Sequence, residues 1–359
     1  METFENFFST GPTYLILVYF IVGLILIIKG GDWFVDAASW IAEELGVPKF
    51  VIGATIVSIA TTLPEMIVSI TATIKGNLDM AAGNAIGSVT ANTAMILAIF
   101  LIFMPFAIER KEFAPKGIFV FLASAGLIAG SIFTAKRTLT FEGETNEYYS
   151  LSTYGTIFLI LIFFVFFIEN FIAMKSHDRQ ITTTPDTIAI VYDDEVKKEK
   201  ASPAQWVKYI LMFLLGAFGT VIGAEILVNS GTKLAEDIHV PQRIISVLAV
   251  AIGTSLPELV TTITALRKKE GDLSVGNILG ANIIDLTLIL PICSFITLGQ
   301  GNEALALSVS SVTIDMLVCL IATTIVVFPT IITKKLHRWQ GIFLMTGYTA
   351  YVVATVVLK

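Results

Sequence analysis

Charge is what this chain has least of: 14% of its 359 residues are Asp, Glu, Lys or Arg, whereas 55% are hydrophobic and the mean hydropathy is +0.81. A water-soluble core cannot hide that much apolar surface, so the bilayer must be the solvent. There is no basic surplus either. The net charge is −6, which provides no cationic surface for nucleic acid. Only two cysteines occur, Cys293 and Cys319, both inside apolar runs and without metal-ligand spacing, so disulfide and redox roles find no support. His177, His239 and His337 lie in or beside connecting segments and give haem or imidazole–metal chemistry nothing to build on. No nucleophile and base stand together in the apolar segments, and the chain is read as a non-enzyme without a cofactor. The first apolar run begins near Tyr14 behind Glu2 and Glu5, lacks a basic leader and outlasts a signal-peptide core. It is expected to be a retained membrane helix.

What the chain does have is apolar runs long enough to cross roughly 30 Å of hydrocarbon. Ten are found, at about 12–42, 50–74, 80–106, 117–135, 152–173, 204–236, 243–266, 273–298, 304–329 and 339–358. The fold class this implies is an all-α polytopic membrane protein. The one sizeable polar segment, 175–203, mixes Thr182-Thr183-Thr184-Pro185, Asp193-Asp194-Glu195 and Lys197-Lys198-Glu199-Lys200 without apolar periodicity; it reads as a cytoplasmic linker between residues 1–174 and 204–359. Lys and Arg are retained on the cytoplasmic side during insertion. Placing the N-terminus outside collects sixteen of them in cytoplasmic segments and span ends, against five on the outer side, so an external N-terminus in the cell membrane is expected.

The two halves are copies. At an offset of 193 residues, Val47–Gly87 aligns with Val240–Gly280 without a gap and with 17 identities in 41 positions. Chance in so apolar a chain gives about four. The matches include Leu63-Pro64-Glu65 with Leu256-Pro257-Glu258, Asp79 with Asp272, and Gly83-Asn84 with Gly276-Asn277. Five expected spans separate a helix from its copy, and an odd number inverts the second copy relative to the first. Inverted repeats of this kind are the architecture of many secondary transporters, in which broken helices meet near the midplane.

Glu65 and Glu258 sit inside apolar spans, where an uncompensated charge costs at least about 2.5 to 3.5 kcal/mol. A pair of them requires a cation. Pro64 and Pro257 have no amide N–H, so the carbonyls of Ala60 and Gly253 lose their usual helix partner and become available as oxygen ligands. Helical spacing puts Ser58, Thr61 and Glu65 on one face, and Ala251, Thr254 and Glu258 on the matching face of the copy. Asn84, Ser88 and Asn92 recur every four residues on the next helix, mirrored by Asn277, Ala281 and Asp285. Three carboxylates, amide oxygens, hydroxyls and carbonyls, with no imidazole or thiol, suit hard cations such as Ca²⁺ and Na⁺. Gly83, Gly87, Gly276 and Gly280 permit close helix approach. Asp32 and Glu225 align at the same offset and are placed either on an ion path or at an interfacial helix end; Asp315, alone in its span, is expected to have an internal hydrogen bond or a partly wet position.

The segments Ala60-Thr-Thr-Leu-Pro-Glu65 with Gly83-Asn-Ala-Ile-Gly-Ser88, and Gly253-Thr-Ser-Leu-Pro-Glu258 with Gly276-Asn-Ile-Leu-Gly-Ala281, resemble the two alpha-repeats of the cation/Ca²⁺ exchanger superfamily. The alpha-repeats span 47–93 and 240–286, and the chain is most similar to the prokaryotic sodium/calcium exchangers. The resemblance implies ten helices as two inverted five-helix repeats and antiport of Na⁺ against Ca²⁺ by alternating access. It implies Glu65 and Glu258 as central Ca²⁺ ligands with backbone oxygens of Thr61 and Thr254. Flanking Na⁺ sites would use the Thr61 and Thr254 hydroxyls, Ser88 and the Ala251 carbonyl, while Asn92 and Asp285 line the middle. Ala281, where the pattern commonly has serine, and Ser58, opposite Ala251, depart from it. Asn92 also departs from the paired aspartates of potassium-dependent members, which leans the reading toward potassium independence. A proton-coupled exchanger of Ca²⁺ or another divalent ion is the nearest rival, and a cation channel the more distant one.

Overall fold

The computed structural model describes residues 12–134, 137–141, 144–182, 201–237, 253–301, 304–309 and 311–357. Uninterrupted apolar sequence yields long helices: α1 (Thr13–Leu45), α4 (Leu78–Phe103), α5 (Arg110–Ile132), α6 (Thr153–Thr182), α7 (Pro203–Asp237), α9 (Gly271–Gly299) and α10 (Ser311–Thr333). Each contains a stretch long and apolar enough to cross a membrane. The pair α2 (Lys49–Thr61) and α3 (Leu63–Ile74) supplies an eighth crossing, bent by 45°. Of the two other expected spans, 243–266 lies partly outside the described residues and ends as α8 (Leu256–Lys268), while 339–358 corresponds to α11 (Arg338–Val357). Helix ends follow local chemistry. Gly46, at φ 62°, closes α1 by donating its N–H to the Ala42 carbonyl, and Pro48 follows.

Some boundaries differ from the sequence reading. The span expected from 304 starts with a strand instead. β1 (Arg137–Phe141), β2 (Glu144–Ser150) and β3 (Ala306–Ser308) form an antiparallel sheet in the order β1-β2-β3, which precedes α10. Period-2 pairing between two connectors distant in sequence leaves no signal in a search for apolar runs. Helix α6 continues to Thr182, into the segment assigned to the linker. Lys116, counted with the cytoplasmic charges, is fully buried in α5 and pairs with Glu169 of α6 at 2.6 Å.

The spans are unequally covered. In their most apolar windows α4 is 72% and α9 83% buried, against 28% for α1 and 22% for α6, which makes α4 and α9 the centre of the bundle. Contacts between segment ends fall into two sets. One joins Thr13 to Asp237, Gln300 to the Ile74 carbonyl, and β2 to β3. The other joins Lys49 to Glu43 and Glu270, Lys268 to Asp36, Ile108 to Lys334, and Ala201 to Glu44.

Candidate cation-binding site

The site is built where the helices break. Thr62, between α2 and α3, has φ −85° and ψ −2°; Ser255, at the repeat-equivalent position before α8, has φ −86° and ψ 7°. Both lie near the sparsely populated bridge region, and a proline follows two residues later in each case. The breaks put Glu65 in the first turn of α3 and Glu258 in the first turn of α8, where the helix dipole favours negative charge. The two central helices are irregular at matching places as well. A π-helical turn runs Asn92–Ile96 in α4 and another Asp285–Ile289 in α9, so the two side chains at the offset of 193 each open one. Such turns displace a side chain from the regular stripe and recur at functional sites.

Glu65, Glu258, Asp285 and Asn92 are all 0% exposed. Both oxygens of all three carboxylates, and the Asn92 Oδ1, are buried without a hydrogen-bond partner. Buried polar atoms are normally paired, and six orphaned carboxylate oxygens in a membrane core call for a cation or water. Neutral groups close around them. Ser88 lies beside the carboxylates of Glu65 and Asp285, and Thr61 beside that of Glu258, without completing a hydrogen bond to any of the six oxygens. Among the described residues no three acidic, histidine or cysteine side chains converge closely enough to hold a metal alone, so a bound ion would need neutral oxygens too, as hard cations with six to eight ligands do.

The other site residues read from the sequence fall as follows. The Thr61 hydroxyl is 3.1 Å from Asn277 Oδ1 and 3.3 Å from the Ser58 carbonyl. Ser88 and Ser255 share a 3.0 Å hydrogen bond, and Asn92 Nδ2 is 3.4 Å from Ser88 Oγ. Ser58 is buried, but its hydroxyl donates to the Thr55 carbonyl of its own helix at 3.0 Å. Thr254 stands half-buried at the break, and Ala251 lies outside the described residues. Close approach of α2 and α9 is real: a Cβ on Gly280 would stand 2.5 Å from the Ala54 carbonyl, and one on Gly276 would collide with the Phe50 carbonyl. Three residues left out of the ligand set take part. Asn277 receives the Thr61 hydroxyl, Asn84 donates to the Glu65 carbonyl at 3.1 Å, and Ser255 pairs with Ser88. For Asn84 and Asn277 the signal was present, since they are identical at the repeat offset; Ser255, opposite Thr62, carried no such identity.

The family model described as sodium/calcium exchanger protein matches residues 15–173 and 208–357. The chain belongs to the sodium/calcium exchanger protein family. Within the family it is 29% identical over 349 residues to "Sodium/calcium exchanger MaX1" of Methanosarcina acetivorans, covering 93% of this chain and 96% of that one. It is 31% identical over 282 residues to "Inner membrane protein YrbG" of Escherichia coli, covering 78% of this chain and 79% of that one. A solved structure of the sodium-calcium exchanger NCX_Mj, soaked with 10 mM Na⁺ and zero Ca²⁺, superposes with a TM-score of 0.71 at 26% identity, over 97% of this chain and all of the other. This family member is thus a multi-pass membrane protein whose three buried acids lie on the helices the two copies share.

Proposed function

We propose that this chain is a secondary antiporter that exchanges Na⁺ for Ca²⁺ by alternating access. The observation that carries the reading is the set of six buried, unpartnered carboxylate oxygens on Glu65, Glu258 and Asp285. An empty site of that kind is too costly to carry across hydrocarbon, whereas one Ca²⁺ offsets two of its three carboxylate charges and several Na⁺ offset as many or more, and this makes movement depend on occupancy. Glu65 and Glu258 are the central Ca²⁺ ligands, with backbone oxygens of Thr61 and Thr254; the Thr61 and Thr254 hydroxyls, Ser88 and the Ala251 carbonyl serve the flanking Na⁺ sites, Asn92 and Asp285 line the middle, and Ser58 stands at the position matching Ala251. Ca²⁺ and Na⁺ are substrates here, and Asn92 in place of a fourth acid favours potassium independence. Family kinship with proteins named sodium/calcium exchanger supports the choice of ions.

The architecture proposed is ten crossings in two inverted five-helix repeats, 1–174 and 204–359, joined by a cytoplasmic linker, with the N-terminus outside. The two sets of end contacts support it. Ile74 closes α3 against Gln300 in one set, while Lys268, next to the Ile74-equivalent Arg267, closes α8 against Asp36 in the other. Radiolabelled Ca²⁺ uptake into proteoliposomes preloaded with Na⁺, K⁺ or acid tests the function. Uptake that requires internal Na⁺ is the expected result; uptake driven by a pH gradient alone would assign the protein to proton coupling.

A further inference from the structure

Outside the carboxylate site, the most informative side chains are the ones that fasten α1 to its neighbours. Helices α1 and α7 interlock through glycines. A Cβ on Gly30, Gly216 or Gly223 would stand 2.7, 2.6 or 2.6 Å from a backbone nitrogen of the opposite helix. Both helices are peripheral, with windows 28% and 33% buried. They therefore form a unit at the edge of the bundle. That unit is tied to the site-bearing α8 at one end by Lys268, whose Nζ lies 2.7 Å from Asp36 Oδ1, 2.8 Å from the Asp32 carbonyl and 3.8 Å from Asp32 Oδ1. Lys49 adds a second tie there, 2.8 Å from both Glu43 of α1 and Glu270 at the start of α9.

The repeat offset assigns each member of the Lys268 tie a counterpart. Lys268 corresponds to Lys75 at the end of α3, Asp32 to Glu225 of α7, and Asp36 to Asn229. Lys75 follows Ile74, whose carbonyl belongs to the other set of end contacts. Lys75 and Glu225 are both exposed and have no partner among the described residues. We propose that the two copies carry alternative ionic latches, Lys268 with Asp32 and Asp36 on one face and Lys75 with Glu225 on the other, of which only one closes at a time. In the conformation seen here the α1–α7 unit is latched at Lys268 and released at Lys75; in the opposite conformation the pairs exchange. The latches are unequal, because Asn229 removes one carboxylate from the second, and the state seen here is the better held. This inference rests on the inverted-repeat reading above.

Two measurements test it. In the first, paired cysteines at Asp32/Lys268 and at Glu225/Lys75 are treated with a short bifunctional thiol reagent in membranes and scored by gel mobility, which needs no transport. The expected result is that each pair cross-links and that closing one blocks the other in the quadruple variant. In the second, apparent Ca²⁺ affinity is measured separately at the two faces. Lys268→Gln should raise it at the face bearing Lys268 and lower it at the other, by about two- to fivefold for a part-exposed ion pair. Lys75→Gln should do the reverse, and Lys268→Arg should leave both values near those of the native protein. Simultaneous cross-linking of both pairs in one molecule, or shifts in the same direction for both glutamine variants, would overturn the proposal. If cross-links exclude each other while Ca²⁺ is not transported, the latches stand and the assignment of the ions falls.

Discussion

Single side chains in this bundle matter most where water is absent. Glu258 is fully buried with both oxygens unpartnered, and Glu258→Gln keeps its shape while deleting the charge that a cation would neutralise. Ca²⁺ uptake should fall about tenfold or more, the equivalent of about 1.4 kcal/mol of binding, with protein level in the membrane unchanged. Gln340 illustrates the opposite kind of residue. Pro329 inside α10 has no N–H for the Ile325 carbonyl four residues earlier, and the Gln340 amide donates to that carbonyl at 2.8 Å and to the Thr330 hydroxyl at 3.1 Å. Gln340→Leu leaves those acceptors buried and unmet. It should lower stability by about 1 to 3 kcal/mol, read as a lower melting temperature in detergent, while the folded fraction still transports. Asp315, the isolated acid of α10, accepts a 2.7 Å hydrogen bond from Tyr351, which is the internal partner expected for it.

Helices come together here by backbone contact. Gly280 lets α9 lie against Ala54 and Ser58 of α2, so the missing side chain sets the spacing of the helix that carries Asp285. Gly280→Ala should cost both thermal stability and Ca²⁺ uptake. Gly347→Ala in α11, where an added Cβ meets nothing within 4 Å, should leave uptake intact and add about 0.5 to 1 kcal/mol of helix stability. Much at this scale was legible in the sequence, because a bilayer imposes a minimum apolar length and forbids unpaired charge. Seven long apolar helices and the bent α2–α3 pair, the duplicated Leu-Pro-Glu breaks and the polar stripes of α4 and α9 followed from that. The π-helical turns at Asn92 and Asp285 did not, since one extra residue in a turn is decided by packing around helices already largely buried. The strand at 306–308 was missed because its partner lies more than 150 residues away.

For the molecule as a whole, the duplication places one Leu-Pro-Glu motif in each half of the chain, and the proposed architecture makes the two halves inverted copies. Its orientation has a direct test. If the linker after five crossings is cytoplasmic, trypsin should cut near Lys197-Lys198 in inverted vesicles and leave right-side-out cells untouched. The central claim is that one set of buried carboxylates holds either Ca²⁺ or Na⁺. Equilibrium binding of radiolabelled Ca²⁺ to the purified protein, titrated with Na⁺ against choline, tests this most directly. The expected result is full displacement of Ca²⁺ by Na⁺ with a Hill coefficient above about one. Ca²⁺ that stays bound at saturating Na⁺ would contradict the account.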